Sequence, residues 1–254
     1  MKITIIIPTY NEGEAIENLL DAVISETNNI KDHQFSILIV DGNSKDNTQE
    51  KVKNKSNKYS NIKLIVEKSK SGLGNAYLEG MNYAINNLEA EAFMEFDGDF
   101  QHNPKDIKKL VEKLDQGYEY IIGSRYIQGG TIPKEWPWYR KAISSFGNIV
   151  ISVGLRLGIN DATSGFKLSR VGGFKDSMPL KQGQLISLRH AYKIHFLYNM
   201  IKAGAKTVEV PIEFLNRNKG ISKSTFEDII ESLRVVFVLI ARGRNNNTVF
   251  KNKS

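Results

Sequence analysis

Five short apolar runs, at residues 2–7, 35–40, 62–66, 92–96 and 120–122, recur through the first half of this 254-residue chain, and a helical pattern separates each from the next. Strands buried on both faces read as unbroken apolar runs of this length. Their alternation with helices, at 14–25, 45–58, 74–87 and 105–115, specifies a mainly parallel sheet flanked by helices on both faces. Ligands of such sheets bind outside the carboxyl ends of the strands, so the loops after these runs are where chemistry is expected.

Beyond residue 124 the rhythm changes. Residues 124–137 read as a loop, with Gly129, Gly130, Pro133 and Pro137, followed by a helix over 138–157. That helix has polar positions Lys141, Ser145, Asn148, Ser152 and Arg156 at spacings of three and four, leaving an apolar face of Ala142, Ile143, Phe146, Ile149, Val150 and Val153. This face reads equally well as packed on the sheet or as lying in a membrane interface, where Trp136 and Trp138 would sit comfortably beside Arg140 and Lys141. A strand at 165–169, a helix at 191–203, a strand at 206–214 and a helix at 226–241 complete the pattern. The polar, Asn-rich stretch from 243 to 254 carries only basic charges and is expected to be disordered. No repeat or linker divides the chain, so a single α/β domain is expected.

Composition narrows the chemistry. With no cysteine, disulfides, thiolate metal sites and thiol nucleophiles are excluded. The N-terminal apolar run stops at Pro8, too short for a signal peptide, and no run approaches the ~20 residues that cross a bilayer. An excess of 35 Lys+Arg over 28 Asp+Glu then asks which anionic partner is faced: nucleic acid, an anionic membrane or a phosphorylated substrate. For nucleic acid, aromatics should interleave with basic residues on one face. They do not, because the lysine-rich stretch from 51 to 70 has no regular aromatic partner.

Four loops hold the candidate chemistry. Phe96-Asp97-Gly98-Asp99-Phe100-Gln101-His102 follows the fourth run, and in an extended segment Asp97, Asp99 and Gln101 would point the same way as oxygen ligands. An Asp-x-Asp alone reads equally as a solvated turn. Pro8-Thr9-Tyr10-Asn11-Glu12 follows the first run, with a ring able to stack on a base, though it reads alone as an ordinary helix start. Val40-Asp41-Gly42-Asn43-Ser44 offers an acid for a base or ribose, or an Asx-type turn. Lys70-Ser71-Gly72-Leu73-Gly74-Asn75-Ala76 places two glycines and a lysine before a helix, where backbone N–H groups could approach a phosphate. It is not the dinucleotide fingerprint: the glycines do not follow the first strand, and Tyr77 stands where glycine or alanine is needed.

Together these loops resemble the inverting GT-A glycosyltransferases of family 2 type, which use nucleotide sugars, and among them the polyprenol-phosphate (dolichol-phosphate) mannosyltransferases. The likeness continues in Ile122-Gly123-Ser124-Arg125-Tyr126, in Trp138 with Arg140 and Ser144, in Asp161-Ala162-Thr163-Ser164-Gly165-Phe166-Lys167, and in Val210-Pro211-Ile212 followed by Arg217, Gly220, Ser222 and Lys223. The resemblance implies a GT-A fold, with one catalytic domain over 1–241, an acceptor-side or interfacial helix at about 138–157 and a basic tail at 242–254. It implies Asp97, Asp99 and Arg125 as catalytic residues. Pro8, Tyr10, Glu12, Asp41, Lys70, Asp97, Gly98, Asp99, Arg125, Arg217 and Lys223 become the nucleotide-sugar site. Arg140 and Ser144 fall to the acceptor phosphate, and Asp99 and Gln101 to Mg²⁺ or Mn²⁺. Two positions depart from the pattern: many relatives have a second acid where Gly42 stands, and a glutamine or glutamate pattern around 192–196, where this chain has His195.

The implied reaction moves a sugar, mannose from GDP-mannose first, onto a polyprenyl or dolichyl phosphate with inversion. A UDP-glucose-dependent relative and a transferase acting on a glycan hydroxyl are the alternatives, and an inactive partner subunit of the same fold is the non-enzyme reading. The implied setting is the cytoplasmic face of a membrane, reached peripherally or through an anchoring subunit, with no nucleic-acid partner.

Overall fold

The computed structural model describes residues 1–216 and 226–251. Among these, seven strands form one sheet in the order β3-β2-β1-β4-β6-β5-β7. They are β1 (Lys2–Thr9), β2 (Gln34–Asp41), β3 (Ile62–Val66), β4 (Ala92–Glu95), β5 (Tyr120–Ser124), β6 (Lys167–Arg170) and β7 (Thr207–Pro211). Every pairing is parallel except those of β6, which runs antiparallel between β4 and β5. The helices are α1 (Ile16–Asn28), α2 (Thr48–Lys58), α3 (Leu73–Asn87), α4 (Ile107–Asp115), α5 (Trp138–Leu155), α6 (Tyr192–Lys202) and α7 (Phe226–Lys251).

The apolar runs are continuous because each strand feeds two cores. Along β1, Ile5 and Ile7 join Ile37, Ile39, Leu19 and Leu110 on one face of the sheet. Ile6, between them, turns to the other face with Leu38, Val40, Tyr77 and Phe196. A one-residue slip would exchange the two sets, so register is tightly specified. The chain runs outward from β1 through β2 to β3 and then returns to place β4 on the other side of β1. That reversal is a topological switch point, and it opens a crevice at the carboxyl ends of β1 and β4.

Several boundaries differ from expectation. α2 begins at Thr48 rather than 45, because the Asp41 carboxylate accepts from Ser44 N at 2.8 Å and Asp46 from Thr48 N at 3.0 Å, which holds the preceding residues in turns. α4 is preceded by a 3₁₀ turn at Pro104–Asp106, capped by Asn103. α7 continues to Lys251, past the expected end at 241 and into the stretch expected to be disordered. That stretch contains no proline, and a helix already nucleated extends at one hydrogen bond per residue.

α5 does not pack its apolar face on the sheet. Only Asn148, Ile151 and Leu155 are buried along it, while Trp138 is 80% exposed, Phe146 67% and Val153 71%. α7 lies alongside, with Val236 close to Gly154, and exposes Ile230, Leu233 and Phe237. Trp136, which the interfacial reading would have set beside Trp138, is buried beneath the Arg140 guanidinium, 3.9 Å from its ring centre. Among the described residues no helix is long and apolar enough to cross a membrane.

Candidate active site

A cavity of about 1130 Å³ opens at the switch point. Pro8, Tyr10, Glu12, Lys70, Asp97, Gly98, Asp99, Gln101, Arg125, Arg140 and Ser144 all line it, so residues up to 136 positions apart in sequence meet there. Arg217 and Lys223 lie outside the described residues. Asp41 does not line the cavity. Its buried carboxylate receives Thr9 Oγ1, Ser44 N, Ser44 Oγ and Gln49 Nε2, all within 2.9 Å, which makes it the brace of the loop below the cavity wall. In this structure the Asp41 carboxylate is thus engaged by the loop, while Gly42 beside it reaches the cavity.

The loops after β1 and β2 are laced together. Asn11 and Asn43 take left-handed backbone, with φ of 54° and 62°. Asn11 N donates to Ser44 Oγ at 2.8 Å, Lys45 N to Asn11 Oδ1 at 2.9 Å and Glu12 N to Thr48 Oγ1 at 2.9 Å. This arrangement presents Tyr10 with the Lys70 ammonium 4.0 Å above its ring. Of the two glycines in the following loop, Gly72 lines the cavity and Gly74 does not. Gly74 N donates to Leu188 O at 2.8 Å, and a Cβ on Gly72 would meet that same oxygen, so their backbone packs against the 180s loop. Glu67, unremarked in the sequence, lines the cavity and accepts from Ser71 Oγ.

The acidic motif is a turn, not an extended segment. Residues 98–99 turn and Phe100 takes a left-handed φ of 64°, a conformation costly for a bulky residue. Gln101 N donates to Asp99 Oδ1 at 3.1 Å. The turn brings Asp99 and Gln101 to the cavity wall, with Asp97 at its base. Tyr77 OH donates to Asp97 Oδ1 at 3.0 Å, while His102 Nε2 and Lys193 Nζ lie 3.2 and 3.5 Å from Oδ2. Burial alone would raise the Asp97 carboxyl. Lys193, then His102 and Tyr77, outweigh it and hold the group far below the usual carboxylate range. Gly165 closes the cage, for a Cβ there would strike both Asp97 Oδ2 and Lys193 Nζ.

Arg125 is fixed from below. Its Nε and Nη2 bond Asp161 Oδ2 and Oδ1 at 2.7 Å each, Nη2 reaches Thr163 Oγ1 at 2.9 Å, and its own N–H donates to Asp161 at 3.0 Å. Burial opposes charge on both partners, but their mutual attraction prevails, raising the arginine and lowering the aspartate from their ordinary values. On the far wall, Arg140 and Ser144 share one face of α5, and Ser144 Oγ accepts from Tyr126 OH at 2.6 Å. His195 does not line the cavity: its Nδ1 accepts from Ile186 N at 3.4 Å, and burial, with help from Arg242, pulls it down to about 4.

Tyr77, His102 and Lys193 escaped the sequence reading as site residues. His102 carried a local signal, since it ends the acidic motif; Tyr77 and Lys193 join Asp97 only across 20 and 96 residues. For a divalent cation, Asp99 and Gln101 supply hard oxygen donors at the cavity wall. Among the described residues no group of three or more acids or histidines encloses an ion. The donor set therefore fits a cation completed by substrate phosphates rather than by a protein cage.

The sequence profile of glycosyl transferase family 2 matches residues 4–177. A dolichol-phosphate mannosyltransferase of Pyrococcus furiosus is 35% identical over 243 residues, covering 94% of this chain; the chain spans 64% of that relative's length. A polyprenol monophosphomannose synthase of Mycolicibacterium smegmatis is 31% identical over 241 residues, covering 94% of this chain and 87% of its own. Among solved structures, a glucosyl-3-phosphoglycerate synthase from Mycobacterium tuberculosis, in complex with Mn²⁺, UDP and glucosyl-3-phosphoglycerate, superposes with a TM-score of 0.63 at 15% identity, covering 95% of this chain and 79% of its own. At that identity the likeness speaks to the GT-A fold.

Proposed function

The chain belongs to glycosyl transferase family 2, and from that premise we propose that this glycosyltransferase moves mannose from GDP-mannose to a polyprenyl or dolichyl phosphate with inversion at the sugar. The observation that carries the reading is the shared cavity. Asp99 and Gln101 on one wall suit a nucleoside diphosphate with its cation, and Arg140 and Ser144 on the other suit a second phosphate. Two relatives that cover 94% of this chain are named for transfer of mannose to such lipids.

Each group has a physical task in that reaction. Tyr10 and Lys70 form the surface on which a base stacks. A phosphate monoester has a second pKa near ~6, so an acceptor oxygen is already a nucleophile at neutral pH and needs no strong base. It attacks the anomeric carbon as the bond from that carbon to the diphosphate oxygen breaks, and the nucleoside diphosphate leaves with the electron pair. A divalent cation on Asp99 and Gln101 would neutralise charge on that leaving group. Arg140 holds the acceptor phosphate by bonds a lysine would not reproduce, because the guanidinium fork matches two phosphate oxygens at once. Arg125, kept rigid by Asp161, presents fixed positive charge where negative charge develops.

The reading extends to the membrane. Trp138, Phe146 and Val153 on α5, with Leu233 and Phe237 on α7, form an apolar surface beside the acceptor wall, suited to the cytoplasmic face of a lipid leaflet. The deciding experiment incubates the protein with Mg²⁺ or Mn²⁺, a panel of GDP- and UDP-sugars and dolichyl phosphate, and follows labelled lipid. Transfer from GDP-mannose is expected. Transfer from UDP-glucose alone would replace the donor, and activity only on glycan hydroxyls would overturn the acceptor.

A further inference from the structure

Beneath the cavity lies a second set of charges that the reaction above does not use. Glu95, the last residue of β4, stands directly opposite Lys167 on β6, and both are fully buried. Tyr192 OH donates to Glu95 Oε2 at 2.6 Å, while Glu95 Oε1 finds no hydrogen bond among the described residues. Lys167 Nζ donates to the backbone carbonyl of Lys193 at 3.3 Å, in the first turn of α6. The Lys193 side chain then crosses to the cavity, 8% exposed, and sets its Nζ 3.5 Å from Asp97.

A buried lysine is expensive unless something compels it. Burial pulls the Lys167 ammonium down to about 8 against the attraction of Glu95, and pushes the Glu95 carboxyl up against the attraction of Lys167. Lys167 and Glu95 face each other across the strands without a close ion pair, and apolar residues at these two positions would avoid the cost. A bare packing role therefore does not account for the pair. What it does hold is the start of α6, on which both Tyr192 and Lys193 ride, and Tyr192 stacks on Tyr77 with ring centres 5.2 Å apart. Two of the three groups that grip Asp97 are thus seated by this layer.

We propose that Lys167, which touches no part of the cavity, is a positioning residue: standing opposite Glu95 in the strand register, it clamps the first turn of α6 through the Lys193 carbonyl and so fixes Lys193 Nζ against Asp97. The inference rests on the transfer reaction above only in assigning Asp97 to the reacting region. A displacement of about 1 Å in such a group costs up to about 100-fold in rate.

The test compares Lys167→Met, Lys167→Arg, the charge-neutral double variant Glu95→Gln/Lys167→Met, and Lys193→Met. Melting temperature, donor Kd and single-turnover transfer are measured for each, alongside crystal structures of the wild type and the double variant. The double variant is expected to fold and to bind donor as the wild type does, but to transfer about 10-fold to 100-fold more slowly, with Lys167→Arg recovering most of the rate. A folded double variant with full transfer rate overturns the proposal. So does a crystal structure in which Lys193 Nζ still lies within 4 Å of Asp97 after Lys167 is replaced, and so does an unimpaired Lys193→Met. The crystallographic comparison decides the clamp even if the wild type proves inert toward polyprenyl phosphates, an outcome that would fail the transfer reading instead.

Discussion

The loops at the ends of β1, β2 and β4 and the helix pair α5–α7 wall the same cavity by opposite means. In the loops the inner carboxylates are held fast: Asp41 accepts four hydrogen bonds, and Asp97 is gripped from α3, α6 and its own loop. The helices spend little on themselves, leaving Trp138, Phe146 and Phe237 two-thirds or more exposed. A rigid, internally satisfied wall suits a small, highly charged donor whose groups must be placed to a fraction of an ångström. An apolar, outward-facing wall suits a ligand that arrives from a second apolar phase.

That contrast can be broken or sharpened, starting with the largest effect. Asp161→Ala, which strands the buried Arg125 charge, is expected to destabilise the protein by about 3–5 kcal/mol in denaturant melts; a loss below about 1 kcal/mol would show the wall is less rigid than its bonds imply. Asp99→Ala should lower transfer by about 100-fold to 1000-fold while the protein stays folded, since it removes charge stabilisation of the leaving group along with the bond from Gln101 N; an active variant would sink the cation assignment. The packing of α6 near α7 is open to acid. His195 is neutral when buried, with its value down at about 4 against 6.5 unfolded, so the unfolded chain binds the extra proton between those values. Stability should hold above about pH 6.5 and fall as pH drops toward 4, and His195→Gln should flatten that part of the profile. Smallest for the fold itself is Phe146→Ser on α5: unfolding free energy should move by no more than about 0.5 kcal/mol, while binding to anionic vesicles should weaken measurably. Equal vesicle binding by both proteins would remove the membrane from the contrast.

Much of the loop wall of the cavity could be located before folding. Apolar runs marked the strands, and a parallel sheet puts its ligand loops at their ends; the resemblance then singled out Pro8, Tyr10, Asp99 and Gln101, which line the cavity. The bracing of Asp41 was not legible, because an acid after a strand looks alike whether or not it holds a turn; its four donors show that it does. The partners of Asp97 were hidden for a different reason. Tyr77 and Lys193 sit on helices whose periodicity announces buried faces, and nothing in a spacing of 20 or 96 residues says which buried side chain meets which. The antiparallel β6, inserted between β4 and β5, likewise depends on pairing across some 70 residues that no local pattern encodes. For α5 the periodicity was read correctly and still left its face undecided, since an apolar stripe looks the same whether protein or lipid covers it.

Gly165 carries a consequence of another kind. A Cβ there would meet Asp97 Oδ2 and Lys193 Nζ, the far ends of two side chains. A methyl at 165 is therefore accommodated by moving one of them aside, so the smallest residue in the chain sets how closely the opposite charges of this corner can approach.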